Sequence, residues 1–170
     1  MARRISSSKT AKPIRVGVVG VGRGLSMGGS NGATGLELVA LCDTWQEPLL
    51  QAGERLGVST YLDYDEFLSH DMDAVILANY FHQHAPFAIK ALAAGKHVMS
   101  ETAACHTLGE GVALVEAVEK SGLTYMFAEN YPYMAYNQEM RRLYQKGHVG
   151  EFRYGEGEYV HPDPAEVKLG

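Results

Sequence analysis

Hydrophobic positions in this chain come in short continuous runs, separated by stretches in which apolar residues recur every three or four places. Ile14–Val19 and Leu36–Cys42 are almost wholly apolar, the pattern of parallel strands covered on both faces. Residues 47–56 carry Leu49, Leu50, Ala52 and Leu56 at helical spacing, and Ser59–Tyr61 predicts a short strand. Asp63 and Glu66 form a capping-box pattern opening a short helix with Phe67 and Leu68. A strand is predicted over 74–78, a helix over 86–94 ending at Gly95, and a strand over His97–Ser100. Thr107 and Glu110 predict a second capping box. Leu108, Val112, Val115 and Val118 form the apolar stripe of the helix that follows, which Gly122 stops before a sixth strand over 124–128. Alternating strands and helices predict an α/β fold with a doubly wound, mostly parallel sheet of the Rossmann type.

The pattern changes after Asn130. Tyr131, Pro132, Tyr133 and Tyr136 form an aromatic connection, 137–146 is an amphipathic helix closed by Gly147, and 152–160 reads as one further strand. The expected organisation is a disordered basic tail over 1–13, a dinucleotide-binding domain over 14–130, and the start of an incomplete second α/β domain over 131–170. A strand at 152–160 without its sheet would leave an unpaired edge, so self-association into a homo-oligomer, or local disorder, is expected there.

The chemistry is concentrated in 14–43. The first apolar run ends in Gly20, Gly22 and Gly24, and the second ends in Asp43. Gly20 lets the chain turn off the strand, and Gly22 lets backbone approach a pyrophosphate. The N–H groups that follow can hold phosphate oxygens. Asp43 stands about twenty residues further on, where a carboxylate at a strand end accepts the adenosine-ribose hydroxyls. The third glycine of G-x-G-x-x-G would stand at Leu25; Gly24 comes one place early. Gly28, Gly29, Gly32 and Gly35 follow, so the helix is expected to be short or irregular.

Composition narrows the classes. The 170 residues are 46% hydrophobic, enough for a globular core, and the net charge of −5 gives no reason to expect nucleic acid or an anionic membrane as partner. Arg3, Arg4, Lys9 and Lys12 lie in a polar start with no apolar stretch behind it, which reads as a solvated tail and not an export signal. No run is long enough to span a bilayer. Cys42 and Cys105 have neither metal nor redox spacing, and Cys42 reads as a buried thiol; a cytoplasmic setting is expected. His82 and His84 lie two apart but lack a third ligand at diagnostic spacing, so no metal is expected.

Residues 74–103, A-V-I-L-A-N-Y-F-H-Q-H-A-P-F-A-I-K-A-L-A-A-G-K-H-V-M-S-E-T-A, resemble the glucose–fructose oxidoreductase / inositol dehydrogenase / MocA (Gfo/Idh/MocA) family. That family has an apolar strand, A-T-P-x-x-x-H, a helix, A-G-K-H-V and E-K-P. His84 matches the histidine, Ala94 to Val98 match the next block, and Glu101 matches the acid of E-K-P. Ala128-Glu129-Asn130-Tyr131 and Gly147-x-x-Gly150-Glu151 add to the likeness.

The resemblance implies a dinucleotide-dependent oxidoreductase acting on sugars, polyols or related compounds. It places Gly20, Gly22, Arg23 and Gly24 on the pyrophosphate and Asp43 on the ribose. Asn79, Tyr80 and His84 would lie along the cofactor, with Glu101 and Asn130 near the nicotinamide. An acid at Asp43 repels a 2′-phosphate, and Thr44 and Trp45 add no positive charge, so NAD is expected over NADP although Arg23 could compensate. Thr102 and Ala103 replace the family's K-P, and a threonine cannot supply the lysine's charge. The catalytic set is therefore unassigned. A non-catalytic dinucleotide-binding or interaction protein is the alternative.

Overall fold

The computed structural model describes residues 12–28, 35–158 and 160. The tail before Lys12, the glycine-rich residues 29–34 and the end beyond Val160 lie outside the described residues. The described chain divides between Glu129 and Asn130 into two units.

The first unit is a six-stranded parallel sheet, β1 (Ile14–Val19), β2 (Leu36–Cys42), β3 (Ser59–Tyr61), β4 (Ala74–Leu77), β5 (His97–Ser100) and β6 (Tyr125–Phe127), in the order β3-β2-β1-β4-β5-β6. The order reverses at β1, where a doubly wound sheet opens a crevice at its carboxyl edge. Five α-helices lie among the described residues of this unit: α1 (Gly24–Gly28), α2 (Gln46–Leu56), α3 (Tyr64–Leu68), α4 (His84–Ala93) and α5 (Leu108–Ser121).

Apolar strands with both faces covered produce two cores. On one face Phe67, Leu77, Ala88, Leu92 and Leu114 pack together; on the other Val18, Leu41, Leu49 and Ile76 do. Phe67 is fully buried and meets Tyr61 edge-on at 6.0 Å, so α3, only five residues long, is held by what it buries. Asp63 caps α3 through the Glu66 N–H, and Thr107 and Glu110 complete a reciprocal capping box on α5.

Three sequence expectations change. The stripe Leu108, Val112, Val115 and Val118 does not face the core as a set: Leu108, Val112 and Val115 are exposed. The helix instead buries Leu114, with Ala117 and Val118 packed beside it, because that is the side on which α5 meets α4. The helix expected over 86–94 begins at His84, after a 3-10 turn over Phe81–Gln83, and Pro86 falls within its first turn, where no intrahelical N–H is needed. Residues 152–158 form no strand and are exposed, since a strand exists only where a neighbour takes up its backbone groups.

The second unit contains a 3-10 turn at Tyr131–Tyr133 and helix α6 (Ala135–Gln145), with an i,i+3 pair from Arg142 to Glu139 and no buried residue.

Candidate functional site

A cleft of about 550 Å³ opens at the carboxyl edge of the first unit's sheet, over the ends of β1, β2, β3 and β4. The β1 end supplies Gly20, Gly22 and Arg23; the β2 end supplies Asp43, Thr44 and Trp45; the β4 end supplies Asn79, Tyr80 and Gln83.

The glycines have separable roles. Gly20 has φ +93°, and a Cβ there would clash with the Ala78 carbonyl oxygen, so no side chain is tolerated at the turn that leaves β1 beside the end of β4. Gly22 faces open space, leaving its backbone accessible from the cleft. A Cβ on Gly24 would lie 2.5 Å from Val18 Cγ1, so the early third glycine performs the close helix-to-strand packing for which the spacing reserves position 25. Helix α1 is short, as the glycines after it imply.

Asp43 is fixed from two sides. The Val21 N–H donates to Oδ2 at 2.8 Å and the Trp45 N–H donates to Oδ1 at 2.9 Å. The carboxylate thus ties the glycine-rich turn to the β2 end and keeps lone pairs for further donors. Behind it, burial pushes the Cys42 thiol up to about 12, with the Asp43 and Asp63 charges adding to the effect, so Cys42 is an inert core residue.

The opposite wall is built from the loop after β4 and the start of α4. Asn79 donates from Nδ2 to Gln83 Oε1 at 3.1 Å, while its own Oδ1 is buried with no partner among the described residues. An unsatisfied acceptor in a cleft wall is what a bound polar group completes. Phe87 is stacked on Tyr64 at 4.1 Å, and the Tyr64 hydroxyl donates to the Phe87 carbonyl at 2.9 Å. Tyr80 and Trp45 are exposed aromatic walls.

Two residues expected at the cofactor, His84 and Glu101, are not among those that line this cleft. His84 is buried, with Nδ1 2.9 Å from the Ala103 carbonyl and Nε2 3.2 Å from the Asn79 carbonyl. It braces the loop after β4 against the loop after β5. Glu101 is 9% exposed and accepts from Arg23 Nε at 2.9 Å, and its other oxygen takes both the N–H and the hydroxyl of Thr102. Burial pushes its carboxyl up, but the two Thr102 donors and the Arg23 guanidinium outweigh that and hold it below the usual range. Arg23 Nε is thereby committed to Glu101, while its side chain, 58% exposed, lines the cleft. Thr102, at the place of the family lysine, spends its hydroxyl on Glu101. Asn130 belongs to the second unit.

Leu62, Asp63, Asp65, Gln83, Phe87 and Lys90 also line the cleft, although no motif in the sequence marks them as site residues. Their signal is positional: β3 ends beside β2, where the Asp43 N–H donates to the Tyr61 carbonyl at 3.2 Å, so the residues after Tyr61 reach the same edge as Asp43. His82 is exposed and stacks on Tyr80, and no group of three His, Cys, Asp or Glu among the described residues could hold a metal. No helix among them is long and apolar enough to cross a membrane.

Residues 14–129 match the Gfo/Idh/MocA oxidoreductase family with its NAD-binding Rossmann fold. The chain belongs to this family. Among curated relatives of this Gfo/Idh/MocA chain, glycosyl hydrolase family 109 protein 1 of Shewanella sp. (strain ANA-3) is 32% identical over 161 residues, 87% of this chain and 35% of the relative. Among solved structures, the WlbA dehydrogenase from Bordetella pertussis in complex with NADH and UDP-GlcNAcA is 28% identical with a TM-score of 0.75, over 81% of this chain and 43% of that one. The apo scyllo-inositol dehydrogenase from Lactobacillus casei is 26% identical with a TM-score of 0.75, over 82% and 44%. The chain spans about a third of the length of the curated relatives it matches. The chemistry of the cleft suits a dinucleotide: its glycine turn, the fixed Asp43 carboxylate and the Asn79 Oδ1 that lacks a partner among the described residues lie together on one edge.

Proposed function

We propose that this chain is the NAD-binding portion of an oxidoreductase that moves hydride between a nicotinamide cofactor and a ring hydroxyl or carbonyl of a sugar, polyol or related substrate. The observation that carries the reading is Asp43, held by Val21 and Trp45 at the β2 end within the cleft that contains Gly20, Gly22 and Arg23. When bound, NAD supplies the hydride acceptor. The chain's own contribution is to hold and orient it, through backbone at Gly20 and Gly22 and through the cation at Arg23, which Glu101 positions.

NAD is favoured over NADP because a 2′-phosphate would meet the Asp43 charge, with Asp63 and Asp65 close by in the same cleft. Relatives bound to a UDP-sugar acid, or named for an inositol or for glycoside hydrolysis, support a hydroxylated ring as substrate. The 32% identity to the glycosyl hydrolase relative favours a second reading in which that ring is a glycoside, separated from the first by whether a glycosidic bond is cleaved. Within the first unit, Thr102 leaves the acid–base group unassigned, so catalysis is placed in the remainder of the parent protein. The expected three-part division at residues 13 and 130 and a homo-oligomeric, cytoplasmic protein complete the proposal; the free thiols of Cys42 and Cys105 suit a reducing compartment. Asn130 is retained as a nicotinamide-side residue by the family likeness.

Titration with NAD and NADP tests the reading. NAD is expected to release heat and change the fluorescence of Trp45, with Asp43→Ala weakening NAD more than NADP. No heat and no spectral change at millimolar NAD would overturn it.

A further inference from the structure

Three carboxylates line the cleft, and they are not equivalent. Asp43 receives one backbone N–H on each oxygen. Asp65 receives Lys90 Nζ on both, at 2.8 and 2.9 Å. Asp63 accepts the Glu66 N–H on Oδ1 at 2.8 Å, and its Oδ2 has no donor among the described residues. An exposed cap needs one oxygen only. The second is an uncommitted, charged acceptor in the wall of a cleft.

Its place follows from the sheet order. The glycines leave β1, Asp43 leaves β2, and Leu62 and Asp63 leave β3, the edge strand on that side. The order pyrophosphate, ribose, base in a dinucleotide follows the same direction. With pyrophosphate at Gly20–Gly22 and ribose at Asp43, the base extends towards the β3 end, between Leu62 and Asp63 and the α4 wall of Gln83 and Phe87.

We propose that Asp63 reads the purine: its free carboxylate oxygen accepts a hydrogen bond from the exocyclic amino group of adenine. The inference rests on the dinucleotide reading of the cleft. A carboxylate is an acceptor only, so it matches an amino group and opposes a carbonyl at the same ring position. Asp63 is then a specificity-determining residue as well as the cap of α3, and Oδ1 and Oδ2 divide the two tasks.

The test compares NAD with nicotinamide hypoxanthine dinucleotide, which carries a carbonyl where adenine carries its amino group. Affinities are read by calorimetry on the 170-residue chain. The wild-type chain is expected to bind NAD roughly tenfold more tightly, the worth of one charge-assisted hydrogen bond at a partly exposed site. Asp63→Asn keeps a capping oxygen but presents N–H donors from its other arm, and is expected to erase or invert the preference. Asp63→Ser keeps the cap and presents nothing, and is expected to bring the two affinities together. Circular dichroism checks that both variants keep the fold. Equal binding of the two dinucleotides by the wild-type chain, or an unchanged ratio in both variants, overturns the proposal while leaving NAD binding in place. Failure to bind either dinucleotide overturns the cofactor reading and this proposal with it.

Discussion

The two units on either side of Glu129 and Asn130 treat the same kinds of side chain in opposite ways. In the first, Phe67 and Leu77 are fully buried and Tyr64 nearly so. In the second, Tyr133, Tyr136, Met140 and Tyr144 are all exposed, and α6 buries none of its residues. Both α4 and α6 carry apolar side chains at helical spacing. Helix α4 has a sheet to pack on and buries Ala85, Ala88, Ala91 and Leu92, whereas α6 is supported locally by its Arg142–Glu139 pair. Apolar side chains on a helix therefore supply stabilisation only where another element receives them.

The largest expected effect tests that contrast directly. Phe67→Ala should lower the unfolding free energy by about 3–5 kcal/mol, through lost transfer and a cavity in the core. Met140→Ala, on the exposed face of α6, should change it by less than about 0.5 kcal/mol. Urea unfolding of both variants checks this, and comparable losses would break the distinction between the units.

Next in size is a change confined to the cleft. Asp43→Ala removes the acceptor for Val21 and Trp45 as well as the proposed ribose partner. NAD affinity should fall by at least about tenfold, with the thermal midpoint moving by only a few degrees. A loss of folding equal to that of Phe67→Ala would make Asp43 a structural residue first.

Smaller still is the cap of α5. Thr107→Ala should cost about 1 kcal/mol by removing one arm of the capping box. Helix α6 has no side-chain cap at Met134, so Met134→Ser should protect its first-turn amides from hydrogen exchange. No change in that exchange would mean that the α6 terminus is limited by something other than its free N–H groups.

The smallest effect concerns pH. Glu101 is held below its ordinary value of 4.5, so the folded chain binds its proton less readily than the unfolded chain does. Its contribution to stability is complete above that value and is lost as pH falls through the depressed folded value. Glu101→Gln should remove this part of the acid limb and leave the neutral-pH slope unchanged. An acid limb identical to that of the wild-type chain would show that Glu101 carries no such linkage.

Most of the first unit could be read from residue order. Continuous apolar runs marked the parallel strands, because a strand covered on both faces has no polar side to alternate with. Thr107 and Glu110 marked the start of α5, because a cap is a contact between neighbours in sequence. Where reading failed, the reason lay elsewhere in the fold. Leu108, Val112 and Val115 form as regular a stripe as any core helix, and only the position of α4 turns α5 so that Leu114 is buried in their place. Residues 152–158 have the composition of a strand and no neighbour to pair with among the described residues.

The candidate site divides in the same way. Sequence alone determined the glycine turn, the acid about twenty residues beyond it and the strand that carries each, since these depend on local backbone freedom and on spacing along the chain. Only the tertiary structure decided that Gly24 packs on Val18 and that Glu101 pairs with Arg23. It alone decided that His84 braces two loops and that Asp63 shares an edge with Asp43. Apart from the contact of Gly24 with Val18, those relations join residues far apart in the chain, and they come into being when parallel strands bring their carboxyl ends to one edge.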